Sequence, residues 1–261
     1  MADYLIFQLQ GPMASWGEPA VGEFRGSAEQ PSQSALLGLL AAALGLARED
    51  EAGHAALRDG YWLASAMLDA GSLLRDYHTA QVPPRSALKG RPQATRRQEL
   101  AVPNFDLGTI LSRRDYRQGA AWLVAVQARE AAPHDLPTLA AALRAPRYVL
   151  YLGRKSCPPA APLWPQLLAA DSVLDAMRAY AERHDAARQS AAAGRGNAPL
   201  EPLPAPLRLA FDERMVAGAP TDLTLRRKDR VIRRQRWQFG DRDEQVSLLQ
   251  RPGEDGSRTE A

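Results

Sequence analysis

The segment YLIFQL, residues 4–9, decides the fold class, because every second side chain in it is a large apolar one. Leu5, Phe7 and Leu9 would share one face of a strand, since side chains on a strand point alternately to its two sides. A segment rich in glycine and proline follows, and then SALLGLLAAAL carries apolar residues at helical spacing, with Ser34 as its predicted cap. A strand followed by an amphipathic helix predicts a helix packed on a sheet.

Further apolar segments extend this order of elements. Two short apolar runs, residues 61–68 and 120–127, predict the second and third strands. Helical spacing predicts a second helix over Asp135–Arg144, and Tyr148–Leu152 predicts a fourth strand. Strand, helix, strand, strand, helix, strand is the order of ferredoxin-like (RRM-like) domains. We therefore predict an α+β fold with a βαββαβ core in residues 1–160.

The second and third strands are joined by a long excursion, Leu74–Arg117, far longer than the usual connection of a few residues. Its prolines interrupt helices and predict an extended β-hairpin thumb. Residues 75–117 hold nine arginines and lysines against four acidic residues. Because arginine pairs with phosphate through a planar fork, this composition predicts a surface for a polyanion. A solvated face without a partner is the alternative.

Residues 161–261 are predicted to form a smaller, irregular C-terminal region. A second basic run, residues 226–236, has seven arginines and lysines in eleven positions and also predicts contact with a polyanion. The other predicted elements of this region are a helix over 173–181 capped by Asp171 or Ser172, a linker over 189–206, strands at 207–211 and 237–239, and a frayed tail over 251–261.

Composition excludes several classes of protein. The single cysteine, Cys157, excludes an internal disulfide and a cysteine-based zinc site, and the four histidines are scattered, so we predict no metal and no cofactor. The longest apolar run, residues 35–47, has 13 residues, against the ~20 needed to cross a bilayer. The start of the chain, MADYLIFQ, has no basic leader. We therefore expect a cytoplasmic protein with no membrane partner.

Two motifs carry candidate binding chemistry. In LLRDYHT, residues 73–79, Arg75 would neutralise phosphate and Tyr77 would stack on a base of RNA, unless these residues merely end a strand. In PRYVLYLGRKSCP, residues 146–158, a glycine followed by Arg-Lys-Ser predicts a phosphate seat. The spacing of a nucleotide-binding P-loop is absent, so ATP hydrolysis is not indicated.

These two motifs, together with LQGPMASWGEP (9–19) and PSQSALLGLLAAALGL (31–46), resemble the CasD subunits of type I-E CRISPR surveillance complexes, or Cascade. The resemblance implies a non-catalytic RNA-binding subunit of a ribonucleoprotein in antiviral defence. Such a subunit binds and caps the 5′ handle of the crRNA and contacts the backbone and large subunits, so that target DNA is reached only indirectly. Glu29 and Gln33 stand where basic residues are expected, and the chain beyond Gln189 has no clear counterpart.

The resemblance and the basic thumb together indicate a set of RNA-binding or RNA-positioning residues. These are Trp16, Arg25, Ser34, Arg75, Tyr77, His78, Arg85, Lys89, Arg91, Arg96, Arg97, Tyr148, Tyr151, Arg154, Lys155 and Ser156. One alternative is a metal-independent endoribonuclease that processes precursor CRISPR RNA, as the related type I-C subunit does. His78 would then be the general acid or base, with Tyr77 or Lys155 assisting. A generic basic adaptor that needs no RNA is the other alternative.

Overall fold

The computed structural model describes residues 1–17, 20 and 22–249, which form a mixed α and β fold with antiparallel sheets. The α+β class predicted from the sequence is confirmed. The strands are β1 Ala2–Gln10, β2 Met13–Ala14, β3 Phe24–Arg25, β4 Tyr61–Asp69, β5 Ser72–Val82, β6 Gly108–Gln118, β7 Ala121–Ala128, β8 Gln166–Ala170, β9 Arg208–Phe211, β10 Leu223–Arg233 and β11 Gln238–Leu248. The helices are α1 Gln33–Leu44, α2 Glu51–Gly60, α3 Arg85–Leu88, α4 Arg96–Glu99, α5 Leu136–Arg144 and α6 Val173–Ala193, with a 3₁₀ turn at Asn104–Asp106.

The main sheet has seven strands in the order β10-β11-β9-β4-β7-β1-β8. Its central strands bury both faces, because nearly all residues along them are apolar, and the polar Gln8 and Ser65 are buried with hydrogen bonds. Leu5 and Phe7 pack with helices α1 and α5 on one face. Tyr4 and Ile6 pack with α6 on the other. Each large apolar side chain buried in this way contributes about 1.5–3 kcal/mol to folding, so β1 and its two neighbours anchor the domain.

A second sheet stands beside the first and is built around β6. Strand β5 pairs with β6 in antiparallel register from Ser72↔Gln118 to Val82↔Gly108. The other edge of β6 pairs with β2 and, in parallel, with β3. Residues 83–107, which join β5 to β6, fold into the two short helices α3 and α4 and the 3₁₀ turn.

Two local predictions are wrong. Ser32, not Ser34, caps α1, because the Ser32 side chain accepts from the amide of Ala35. Tyr148–Leu152 is not a strand, since its first amide, that of Tyr148, donates to the main-chain oxygen of Ala42 near the end of α1. The fourth strand of the core is β8, further along the chain.

Other boundaries agree or shift. Ser172, one of the two predicted caps, caps α6. Asp135, predicted as the first residue of the second helix, is the cap of α5. Helix α6 continues to Ala193, so the predicted linker begins later than Gln189. Helix α2 was not predicted, and the second basic run forms β10 itself.

The main sheet combines strands from both sides of residue 160, since β8 to β11 all lie beyond it. The division into 1–160 and 161–261 stays a prediction. The predicted tail, residues 251–261, lies outside the described residues. Within the described part of the chain, no helix combines the length and the apolar character needed to cross a membrane.

Candidate nucleic-acid interface

A buried carboxylate organises the base of the β5–β6 hairpin. The side chain of Asp115 is only 6% exposed and accepts from both ends of the Arg75 fork, Nε to Oδ1 at 2.8 Å and Nη2 to Oδ2 at 3.1 Å. The hydrogen bond from Arg75, with the positive charges of Arg75, Arg154 and Arg117, holds the pKa of Asp115 below its usual value. Arg75 is therefore fixed in one orientation while half of its side chain stays exposed.

Tyr77 and Arg113 lie beside Arg75 on the same face of the hairpin. Tyr77 pairs with Arg113 across β5 and β6, and Phe24 pairs with Arg113 across β3 and β6, so the three side chains form a row. The Arg75 guanidinium lies 5.4 Å from the centre of the Phe24 ring. Phe24 is 47% exposed and Tyr77 59% exposed. We call Phe24, Arg75, Tyr77 and Arg113 the aromatic–arginine face.

Phe24 and Arg113 were not among the residues predicted from the sequence. No linear spacing relates them to Tyr77, because Phe24 precedes it by more than fifty positions and lies in a segment rich in glycine. Only the pairing of β3, β5 and β6 brings them together. The one local signal for Phe24 in the sequence is that this aromatic residue stands next to Arg25.

His78 lies on the opposite face of the hairpin from Tyr77. It follows Tyr77 directly in β5 and pairs with Ser112, whereas Tyr77 pairs with Arg113. Because consecutive strand residues point to opposite sides, Tyr77 and His78 cannot act on the same phosphate from one face. Arg75, Tyr77 and His78 are therefore close in the sequence LLRDYHT, but His78 does not share a face with the other two. Within the described residues, no hydrogen bond joins His78 to Tyr77 or Lys155.

Arg154 connects the GRKS motif to the hairpin. Its guanidinium donates to the main-chain oxygen of Asp115 at 3.3 Å and to that of Arg25 at 3.1 Å, and it lies 4.7 Å from the centre of the Tyr116 ring. The Ser15 hydroxyl donates to the same Asp115 oxygen at 2.9 Å. Arg154 is thus positioned by β3 and β6, and it covers the face of the hairpin that carries Tyr116.

The turn that holds Arg154 depends on a glycine. Gly153 has φ of +85°, and a Cβ there would lie 1.8 Å from the main-chain oxygen of Ser15. Within the turn, the amide of Cys157 donates to Arg154 O at 2.9 Å and that of Leu152 to Cys157 O at 2.7 Å. Lys155 and Ser156 are exposed on its outer side. The amides of residues 154–156 have no main-chain acceptor in the described part of the chain, and the phosphate seat stays a prediction.

Trp16 is a core residue rather than a stacking platform. It is 2% exposed and packs edge-on against Trp122, with ring centroids 5.2 Å apart at 81°. Direct stacking of Trp16 on a base is excluded by this burial, so only a positioning role remains as a prediction. Glu29, whose position suggested a lost phosphate contact, forms ion pairs with Arg117 at 3.1 Å and Arg208 at 3.6 Å.

Ion pairing divides the basic residues into two groups. In the hairpin connection Arg96 pairs with Glu99, and Arg91 donates to the main-chain oxygen of Ala101. In the part of the chain that the structure describes, six basic residues of the hairpin and its connection have no carboxylate partner: Arg85, Lys89, Arg91, Arg97, Arg113 and Arg114. No acidic side chain competes with a polyanion for these six.

The second basic run is only partly a free surface. Arg226 pairs with Asp241 and Asp243 on the neighbouring strand β11, and Arg230 pairs with Asp59. The side chains of Arg226 and Arg230 nevertheless stay 72% and 54% exposed, so contact of this run with a polyanion stays a prediction. The cations left without a carboxylate in the described residues lie mainly near the β10–β11 turn: Lys228, Arg233, Arg234 and Arg236.

Of the remaining predicted residues, Tyr148, Tyr151 and Arg25 are exposed and Ser34 is half-buried. Tyr148 is 50% exposed and Tyr151 is 37% exposed, so both rings are accessible. Arg25 donates to the main-chain oxygens of Gly22 and Phe24. Among the described residues, no group of three or more histidine, cysteine, aspartate or glutamate side chains is placed to hold a metal ion.

Residues 4–243 match the model of a family described as CRISPR-associated protein (Cas_Cas5). The chain belongs to this family. It is 35% identical over 172 residues to the CRISPR system Cascade subunit CasD of Escherichia coli (strain K12), covering 63% of this chain and 70% of that relative. The resemblance of the sequence motifs to this family is confirmed.

Two solved structures extend the likeness to nearly the whole chain. A chain titled CRISPR RNA-guided surveillance complex is 25% identical with a TM-score of 0.56, covering 97% of this chain and 95% of that one. A chain titled Crystal structure of Cas protein is 23% identical with a TM-score of 0.57 and covers 95% of both chains. Because its identity is only 23%, the likeness to the second structure supports the fold alone.

Proposed function

We propose that this chain is a non-catalytic subunit of a CRISPR RNA-guided surveillance complex that binds and caps the 5′ handle of the crRNA. Membership of the Cas_Cas5 family and the names of its relatives support the assembly. The observation that carries RNA binding is the aromatic–arginine face, where exposed rings alternate with guanidiniums. In this role the chain contacts the backbone and large subunits in the cytoplasm and reaches target DNA only through the assembly.

The proposed core is ferredoxin-like, and the β5–β6 hairpin is its thumb. The four strands β4, β7, β1 and β8 lie side by side in that order and pair antiparallel throughout. Helices α1 and α5 follow β1 and β7 in the chain and pack together on one face. This is the chain order and pairing expected of a split βαβ domain, with the thumb inserted between its second and third strands.

The chemistry of the aromatic–arginine face suits single-stranded RNA. An exposed ring such as that of Tyr77 stacks on a splayed base, which is worth about 1–3 kcal/mol. Arg113 has no carboxylate partner among the described residues and is free to pair with phosphate. Asp115 holds Arg75 in place before RNA arrives, so less side-chain entropy is lost on binding.

Binding of handle RNA to the purified chain tests this function. We expect tight binding to the handle and weaker binding to a scrambled RNA of equal length and composition. The logarithm of the binding constant should fall by about 0.7 for each phosphate contacted as the logarithm of the salt concentration rises. Equal affinity for both RNAs would exclude handle recognition, and the generic adaptor would then be favoured.

The endoribonuclease is the second candidate, and the geometry does not favour it. His78 is exposed to solvent, and Tyr77 lies on the other face of the strand. Incubation of precursor CRISPR RNA with the chain in the presence of a chelator decides between the two. We expect intact RNA. Cleavage that His78→Ala abolishes would establish the enzyme instead.

A further inference from the structure

A groove separate from the aromatic–arginine face lies between helix α1, the segment 149–154 and the β10–β11 turn. Its volume is about 460 Å³, and its lining includes Ser34, Gly38, Tyr151, Arg154, Arg234 and Trp237. This volume falls within the ~300–1,000 Å³ of typical ligand sites. The groove thus has room for a nucleotide-sized ligand and not for a duplex.

One wall of the groove includes Arg234 and Trp237, and a second arginine, Arg48, packs on the same tryptophan. The guanidinium carbons of Arg48 and Arg234 lie 4.3 Å and 4.8 Å from the centre of the Trp237 ring. Within the described residues neither guanidinium has a carboxylate partner. Burial, and then the positive charge of Arg48, lower the pKa of Arg234. Two neighbouring cations in a partly buried site would be stabilised by an anion.

The carboxylates nearest this turn are used for other contacts. Glu51, at the start of α2, accepts from the main-chain amides of Arg234 at 3.0 Å and Gln235 at 2.7 Å. Asp229 accepts from the Arg242 side chain at 2.6 Å and 3.0 Å and from the amide of Gln33 at 2.7 Å. The hairpin is therefore fastened to both helices while the guanidiniums of the cluster stay unneutralised.

The cluster faces an aromatic residue across the groove. Arg234 lies against α1, where a Cβ on Gly38 would be 3.3 Å from its Nη2 atom, so the missing side chain makes room for it. Tyr151 belongs to the segment on the other side and is 37% exposed. Cations and an accessible ring around one small groove match the phosphate and the base of a nucleotide.

We propose that this groove binds one unstacked nucleotide of single-stranded RNA, with its phosphate held by Arg48 and Arg234 and its base against Tyr151. The proposal rests on the RNA-binding function proposed above and adds a second site formed by the C-terminal hairpin. Trp237 is a positioning residue, because its ring packs against both guanidiniums and need not touch the RNA.

The test measures binding of handle RNA to the purified full chain. Arg48→Gln with Arg234→Gln should lower the slope of log affinity against log salt by about 0.7, the contribution of one phosphate. Tyr151→Leu should weaken binding roughly fivefold to 150-fold, and Tyr151→Phe should restore it. The matched control is Arg226→Gln, because Arg226 is paired with Asp241 and Asp243 and should change neither quantity.

A scan with abasic nucleotides identifies the bound base. In the wild-type chain, removal of one particular base should weaken binding as much as Tyr151→Leu does, and the two changes together should cost no more than either alone. Thermal unfolding of each variant separates loss of binding from loss of folding.

Three results would overturn or redirect the idea. If wild type binds the handle and every groove variant binds equally well, this site is not used, although the proposed function survives. If wild type does not bind the handle, the proposed function fails as well. The third result is that the double arginine variant binds RNA as wild type does but fails to bind a poly-glutamate peptide that wild type binds. The ligand of the groove would then be an acidic peptide and not a nucleotide.

Discussion

Two neighbouring arginines provide a sharp test of which face of the hairpin binds RNA. Arg113 and Arg114 are adjacent in β6, have the same side chain and have no carboxylate partner in the described part of the chain. Arg113 pairs with Tyr77 and so belongs to the aromatic–arginine face, whereas Arg114 pairs with Asp76 and points to the other side. The test compares two variants, Arg113→Gln and Arg114→Gln.

The expected magnitude follows from counterion release. A single-stranded RNA contact contributes about 0.7 to the slope of log affinity against log salt. Arg113→Gln should therefore lower the slope by about 0.7, and Arg114→Gln should leave it unchanged. Between 50 and 200 mM salt, one contact corresponds to roughly a 2.6-fold difference in the loss of affinity. Each variant is thus an internal control for the other.

The assay is fluorescence anisotropy of handle RNA labelled at its 3′ end, titrated with each variant at several salt concentrations. Circular dichroism of each variant checks that the hairpin still forms. If Arg114→Gln lowered the slope and Arg113→Gln did not, RNA would lie on the face that carries His78 and Tyr116. The role given to Tyr77 and Phe24 would then be refuted.

Three further predictions concern stability, each followed by urea denaturation. Gly153→Ala should destabilise the fold by about 2–5 kcal/mol, because it adds a clash with main chain to the cost of positive φ. Gly119→Ala, with φ of +74° but open space, should cost only about 1–2 kcal/mol, and equal losses would refute the clash. Asp229→Ala should cost about 3–5 kcal/mol, since it removes one of the two carboxylates that pair with the buried Arg242, Glu244 being the other, and the acceptor of the Gln33 amide, and a loss under about 1 kcal/mol would contradict this. Burial lowers the pKa of His184, so its contribution to stability is complete above the unfolded pKa of about 6.5 and falls as the pH drops below it. His184→Phe should therefore lose less stability than wild type between pH 7 and pH 5, and an identical loss would show that this imidazole is not responsible.

Sequence patterns predicted the elements whose signals are local. The alternation of Leu5, Phe7 and Leu9 predicts β1 because one face of a strand repeats every two residues. The cap of α6 was predicted to be Asp171 or Ser172, and it is Ser172, because a cap bonds to amides two or three residues away. The family was likewise evident from short motifs.

Contacts across the sheet were not predictable in the same way. The ion pairs of Arg226 with acidic residues on β11 could not be predicted from the basic run, because they depend on the pairing of β10 with β11. Trp16 was assigned to RNA, but the packing of Trp122 against it shows a core residue. That error treated a ring as exposed when a partner distant in sequence covers it.

The amino-acid sequence by itself determined the α+β class, most of the strands and helices, the basic character of the hairpin and the family. Tertiary structure alone decided which side chains share a face, since Phe24, Tyr77 and Arg113 meet only through the register of three strands. The physical reason is that the pattern within one strand determines only which of its residues share a face. Which of the two faces stays open to a ligand depends on burial and on pairing with strands that are distant in sequence.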